Sequence, residues 1–153
     1  MRAADLPDLC RMHDDPRVMT TLGGLRDVEQ TQSFVRGARR HWTRHGFGFW
    51  TVRDPESGVF LGRGGLFCTR VGGKPDVEVG YAFMPECWGR GLATELATES
   101  VRIGFEVLGL PDLVCFALPT NAASLRVMEK LGFRPESEVT VRGQPHVFCR
   151  LRA

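Results

Sequence analysis

Apolar and polar positions along this 153-residue chain change their period several times. Between Asp27 and Gly46, Phe34, Val35, Ala38 and Trp42 fall on one face at helical spacing, and Arg36, Arg39, Arg40 and Arg44 lie mostly elsewhere. Asp27 with Gln30 three residues on makes a capping box, and Gly46 stops the helix. Ahead of it, Asp5 caps a short helix through Met12, and Asp15-Pro16 opens another turn of helix that Gly23-Gly24 ends. The period then shortens. Residues 47–53, 59–69 and 77–84 read as strands joined by turns at Asp54-Pro55, Ser57-Gly58 and Gly72-Gly73, an antiparallel meander. Residues 92–108 return to helical spacing, with Leu92, Leu96, Ile103 and Val107 on one face and Glu95, Glu99, Arg102 and Glu106 on another, up to Gly109. A wholly apolar run at 113–118 suits a buried strand, Pro119 breaks it, and Asn121 or Thr120 caps a last helix that ends at Gly132. Strands at 137–142 and 145–151 close the chain around Gly143. The order predicts one α/β (α+β) domain over 1–153, with a mixed, mostly antiparallel sheet and helices on both faces.

Composition narrows the classes. A net charge of +2 is too weak to argue for a nucleic-acid partner, so none is expected, and no apolar stretch approaches the length of a membrane span. The start MRAADLPDLC has no apolar signal region, so the chain reads as cytoplasmic. Five cysteines at 10, 68, 87, 115 and 149 have no C-x-x-C spacing, and the four histidines have no ligand spacing. Neither a disulfide framework nor a metal site is expected, and the cysteines read as reduced, buried thiols. The arginines of the first long helix read as a solvated face, and Trp42 and Trp50 as core.

One stretch asks for a ligand. In GYAFMPECWGRGLATEL a strand gives way to a loop with Gly89 and Gly91, and a helix follows at once. Glycine is costly inside a helix and lets a ligand approach the backbone, while a helix start offers unpaired N–H groups and positive potential. Together these make a phosphate site. It is not a Walker loop, because no Lys follows, and it is not a dinucleotide fingerprint, because Thr94 stands where the third glycine belongs.

WGRGLA at 88–93, NAASLRVMEKLGF at 121–133 and VEVGYAF at 77–83 stand at a spacing that resembles the GNAT acetyltransferase superfamily. DPRVMTTLGG at 15–24, HGFGFWTV at 45–52 and LGLPDLVCFALPTN at 108–121 are similar to its RimJ/RimL-type N-acetyltransferase branch. The resemblance implies a GNAT fold in which acetyl-CoA lies where two parallel strands splay apart. It implies that the backbone near Phe83 and Met84 pairs with the pantetheine arm. The pyrophosphate would sit over Trp88, Gly89, Arg90, Gly91, Leu92, Ala93 and Thr94, and Asn121 would hydrogen-bond the pantetheine. An acceptor amine, at a protein N-terminus or on a small molecule, would attack the thioester directly. Glu78 would be the general base and Ser124 the group that meets the departing thiolate, since the slot of the superfamily's usual Tyr is Met128 and the chain's one Tyr is Tyr81. The superfamily's usual first strand is absent, which leaves the strand at 47–53 as an uncovered edge and suggests a homodimer. Two other readings share these residues: a non-catalytic acyl-CoA sensor and a simple nucleotide-phosphate binder.

Overall fold

The computed structural model describes residues 1–71 and 73–153; Gly72, read above as part of a turn, lies outside the described residues. Helices α1 (Leu6–His13), α2 (Pro16–Met19) and α3 (Val28–His45) precede strands β1 (Phe49–Arg53), β2 (Phe60–Thr69) and β3 (Asp76–Phe83). Helix α4 (Leu92–Arg102), β4 (Asp112–Ala117), α5 (Ala122–Lys130), β5 (Arg134–Val141) and β6 (Gln144–Arg152) follow. The six strands form one sheet in the order β1-β2-β3-β4-β6-β5. β3 and β4 are parallel, with Glu78 opposite Val114, whereas β1–β2, β4–β6 and β5–β6 are antiparallel. This is the mixed architecture the periodicities predict. The chain packs as two compact units, residues 1–65 with 81–92, and residues 66–80 with 93–153.

In the first unit, the α3 capping box forms as its sequence demands. Asp27 accepts from the Gln30 N–H at 2.7 Å, and Gln30 accepts from the Asp27 N–H at 2.9 Å. Arg36, Arg39, Arg40 and Arg44 are exposed, in keeping with a solvated face. Trp42 packs toward Trp50 and donates its indole N–H to the Phe49 carbonyl at 2.9 Å, so its polar handle is used inside the unit. Asp5 is a polar anchor: it accepts from the Arg2 N–H, the Thr51 hydroxyl and the Arg53 guanidinium. His13 is fully buried and shares a 3.1 Å hydrogen bond between Nδ1 and the Thr31 hydroxyl.

In the second unit the structure corrects the reading of residues 92–108. The α-helix ends at Arg102, and Ile103–Val107 form a π-helical turn. Inserting that wider turn rotates the following positions, so Val107, expected on the apolar face, is 64% exposed. The buried seam is instead Ala97, Ser100 and Gly104, all small. A side chain at Gly104 would collide with Leu113 of β4, which explains why the seam is small: the helix lies close on the sheet. β5 begins three residues earlier than expected. It is an edge strand whose Pro135 sits at a register shift and whose Arg134, Glu136 and Glu138 are exposed, devices that discourage edge pairing. Arg142 and Gly143 both take positive φ and turn β5 into β6 as a two-residue hairpin. Arg150 ties the sheet together through Asp76 at 2.7 Å, Asp112 at 2.6 Å and Glu136 at 2.9 Å.

His13 gives this fold a pH dependence. Its burial, and then the positive charges of Arg63 and Arg26, lower its pKa from 6.5 to about 3, so the folded protein holds it neutral. The unfolded chain takes up that proton near 6.5, so the unfolded state binds more protons and stability falls as pH is lowered. The expected slope is about 1.4 kcal/mol per pH unit once pH is well below 6.5. Denaturant unfolding at pH 7, 6 and 5 should show it, and His13→Gln should be less stable at pH 7 but lose this portion of the slope.

Candidate functional site

The glycine loop belongs to the first unit and is built from backbone hydrogen bonds. β3 ends at Phe83, and Met84 stays extended, its N–H donating to the Leu61 carbonyl at 2.8 Å. Pro85–Cys87 then make one 3-10 turn, closed by the Cys87 N–H on the Met84 carbonyl at 2.9 Å. Trp88 is 52% exposed, yet its indole N–H reaches back to the Phe83 carbonyl at 2.9 Å. That bond clasps the turn across five residues and spends one of the strand's free acceptors. Phe83 and Met84 themselves are buried.

Gly89 and Gly91 have φ of 75° and 80°, a left-handed backbone that side chains resist, and a Cβ at either would meet nothing within 4 Å. The space above the loop is therefore open, and the glycines are required by the backbone path. Arg90 is exposed between them. The Asp54 carboxyl is held below its usual value first by the N–H and hydroxyl of Ser57, and also by the positive charge of Arg90. Helix α4 starts at Leu92, so the amides of its first turn, Leu92, Ala93 and Thr94, lack intrahelical acceptors. Open space, left-handed glycines and a helix start together can receive an anion.

The remaining predicted residues lie in the second unit. Asn121 is the N-cap of α5, which settles the alternative with Thr120: its Oδ1 accepts from the Ser124 N–H at 3.1 Å. Its side-chain amide N–H groups are the part left to meet a ligand. Ser124 is half-buried in the first turn. Glu78 is half-buried on β3 opposite Val114. The Cys115 thiol is pushed well above its ordinary value by burial, then by the negative charge of Glu78 and by Cys149, which keeps it a protonated, inert thiol. The structure thus joins Asn121 to Ser124 and brings Glu78 within electrostatic reach of Cys115. The Trp88 clasp and the 3-10 turn had no sequence signal beyond Pro85, because both depend on where the strand's last carbonyl points.

A sheet with one parallel pair, a glycine loop on the crossover helix and a capped helix after the second parallel strand defines an acyltransferase fold. The family model described as an acetyltransferase (GNAT) domain matches residues 1–134, and the chain belongs to that family. It is thus an acetyl-CoA-dependent N-acetyltransferase. An uncharacterised protein of Bacillus subtilis, YkkB, is 31% identical over 134 residues, covering 88% of this chain and 78% of that one. The crystal structure of an acetyltransferase from Agrobacterium tumefaciens superposes with a TM-score of 0.85 at 26% identity, covering 100% of this chain and 88% of that one. A spermidine N-acetyltransferase from Vibrio cholerae, solved with CoA and spermine, shares the fold with a TM-score of 0.78 at 16% identity, covering 99% and 92%.

The clasp yields a direct test. Trp88→Phe keeps the ring and removes the N–H that holds the Phe83 carbonyl. The loss of one hydrogen bond should cost about 1 kcal/mol. Melting should fall by roughly 2–4 °C for a chain of this size. Amide exchange should quicken at Cys87 and Trp88, whose N–H groups close the turn.

Proposed function

We propose that this chain transfers an acetyl group from acetyl-CoA to a primary amine, at a protein N-terminus or on a small molecule, in the manner of the RimJ/RimL branch. The observation that carries this reading is the open, left-handed Gly89–Gly91 segment at the start of α4. In this reading the amides of Gly89 to Thr94 hold the diphosphate, with Trp88 and Arg90 beside it. The backbone at Phe83 and Met84 serves the pantetheine, as does the Asn121 amide. Glu78 draws the acceptor's ammonium and takes its proton, and Ser124 meets the departing thiolate. Family membership and the CoA complex of the Vibrio cholerae relative support the cosubstrate.

Two measurements test it. CoA at 100 times its dissociation constant should stabilise the fold by about 2.7 kcal/mol. Gly91→Val should keep little of that thermal shift, because a branched side chain both resists the left-handed backbone and fills the open space. A full shift in Gly91→Val would sink the loop assignment. In kinetics, thiol release with a panel of peptides, polyamines and aminoglycosides identifies the acceptor. Glu78→Gln should then lower turnover about 10²-fold or more near neutrality with CoA binding retained. The defect should shrink as pH rises, since more of the amine is already neutral. Full activity of Glu78→Gln from pH 6 to 9 would remove Glu78 from the chemistry.

A further inference from the structure

A pair of metal-ligating side chains stands at the end of α3, in the first unit and outside the residues assigned to acetyl transfer. Two histidines four apart in a loop point anywhere. On one α-helix the same separation sets both on one face, about 5–6 Å apart at Cβ. Val28–His45 is a single helix, so His41 and His45 are such a pair, and the expectation that the histidines lack ligand spacing fails here. Their ring centroids are 4.5 Å apart, and a ligand nitrogen of one lies within 4.8 Å of a ligand nitrogen of the other. His41 is buried and His45 exposed, which gives one fixed ring and one that can swing in from solvent.

The helix end builds the rest of the arrangement. Gly46 caps α3 with φ 74°, and the chain turns back so that the Phe47 carbonyl oxygen lies 2.8 Å from His41 Nδ1. A carbonyl only accepts, so Nδ1 carries the proton and donates it, and in the neutral ring the lone pair is on Nε2. Metal-bound histidines make this same outer contact, with one nitrogen anchored on a carbonyl and the other turned to the ion. The Phe47 ring stands edge-on to His41 at 5.3 Å and lies 5.9 Å from His45, so it walls the pair. The unpaired carbonyls at a helix C-terminus carry about half a negative charge, which favours a cation beside the last turn. Arg40 and Arg44 oppose this, but both are exposed and screened by water. Burial lowers the His41 pKa below its ordinary value; the bond to Phe47 offsets part of this and the charge of His45 adds to it. The ring is therefore neutral at pH 7, the form that ligates metals.

We propose that His41 and His45 bind a divalent transition-metal ion of the class Zn2+, Co2+, Ni2+ or Cu2+, each through one imidazole nitrogen. Imidazole selects these cations, whereas Mg2+ and Ca2+ take oxygen ligands. Water on the exposed His45 side completes the coordination. The ion bridges the last two turns of α3. Through the His41–Phe47 bond it also holds the helix cap and the lead into β1. An ion that binds only the folded arrangement stabilises it by mass action, so the pair is a metal clip on the first unit. The clip is independent of the acetyl-transfer reading and uses none of the residues placed in that site.

Equilibrium dialysis, thermal melting and nitrogen-15 spectra of the whole, untagged chain test this with the metals alone. The wild type should take up Zn2+ saturably. At 100 times its dissociation constant, Zn2+ should raise the melting temperature by roughly 5–10 °C, and Mg2+ should leave it unchanged. Before Zn2+ is added, His41 should show the Nδ1–H tautomer, and its Nε2 signal should move on binding. His45→Gln changes an exposed side chain, so it should melt as the wild type does without metal. It should bind Zn2+ about 10²-fold more weakly, at the upper end of what losing even an outer partner costs, and keep the thermal shift with CoA. His41→Gln should lose Zn2+ as well, and His146→Gln, on β6, should keep it. If His41→Gln does not fold, His45→Gln and the spectra decide. No saturable uptake, a wild-type Zn2+ shift in His45→Gln, an equal response to Mg2+, or an unmoved His41 Nε2 signal would each overturn the site.

Discussion

The parallel pairing of β3 with β4 is the constraint on which this architecture turns. Parallel neighbours cannot be joined by a hairpin, so the chain must leave the sheet and return through a crossover. Residues 84–111 are that crossover, and they contain both the glycine loop and α4. The carboxyl end of each parallel strand therefore opens into a segment that the proposed site draws on. β3 leads into Met84–Gly91, and β4 leads into the Asn121 cap and Ser124. A two-residue antiparallel hairpin, such as the Arg142-Gly143 turn, has no room for such an insertion.

The crossover helix can lie close on its sheet because its contact seam is small. Ala97, Ser100 and Gly104 let Leu113 approach, and the π-helical turn keeps Gly104 aimed at that contact. At the other side of the same sheet region, three carboxylates converge on Arg150, whose guanidinium offers enough donors to bind them together. Asp76 in that cluster has a side chain only 6% exposed, so the arrangement is one in which losing the cation would strand a nearly buried charge.

The sequence carried the strongly periodic elements and their punctuation. The capping box at Asp27 and Gln30, the stop at Gly46, the hairpin at Gly143 and the Asn121 cap are all local, since a few neighbouring residues decide their hydrogen bonds. Element ends moved by a few residues, chiefly at β5, where edge pairing extends a strand through Pro135 and charged positions that propensity would exclude. The left-handed backbone at Gly89 and Gly91 and the helix start that follows were legible because φ preference and helix punctuation are also local properties. GNAT membership, shown over residues 1–134, agrees with the motifs that suggested it.

Tertiary structure decided what depends on residues far apart in the chain. The apolar stripe over 92–108 was misread at Val107 because a single π-helical turn, fixed by packing on Leu113, rotates everything after it. His13 gave no sign in sequence of being a neutral, fully buried ring, because Thr31, Arg26 and Arg63 reach it only in the fold. Trp88 read as part of a ligand loop, but its indole also clasps the Phe83 carbonyl, a bond set by the strand's exit angle. Period and capping are written in neighbouring residues, whereas register and burial exist only once the strands have met.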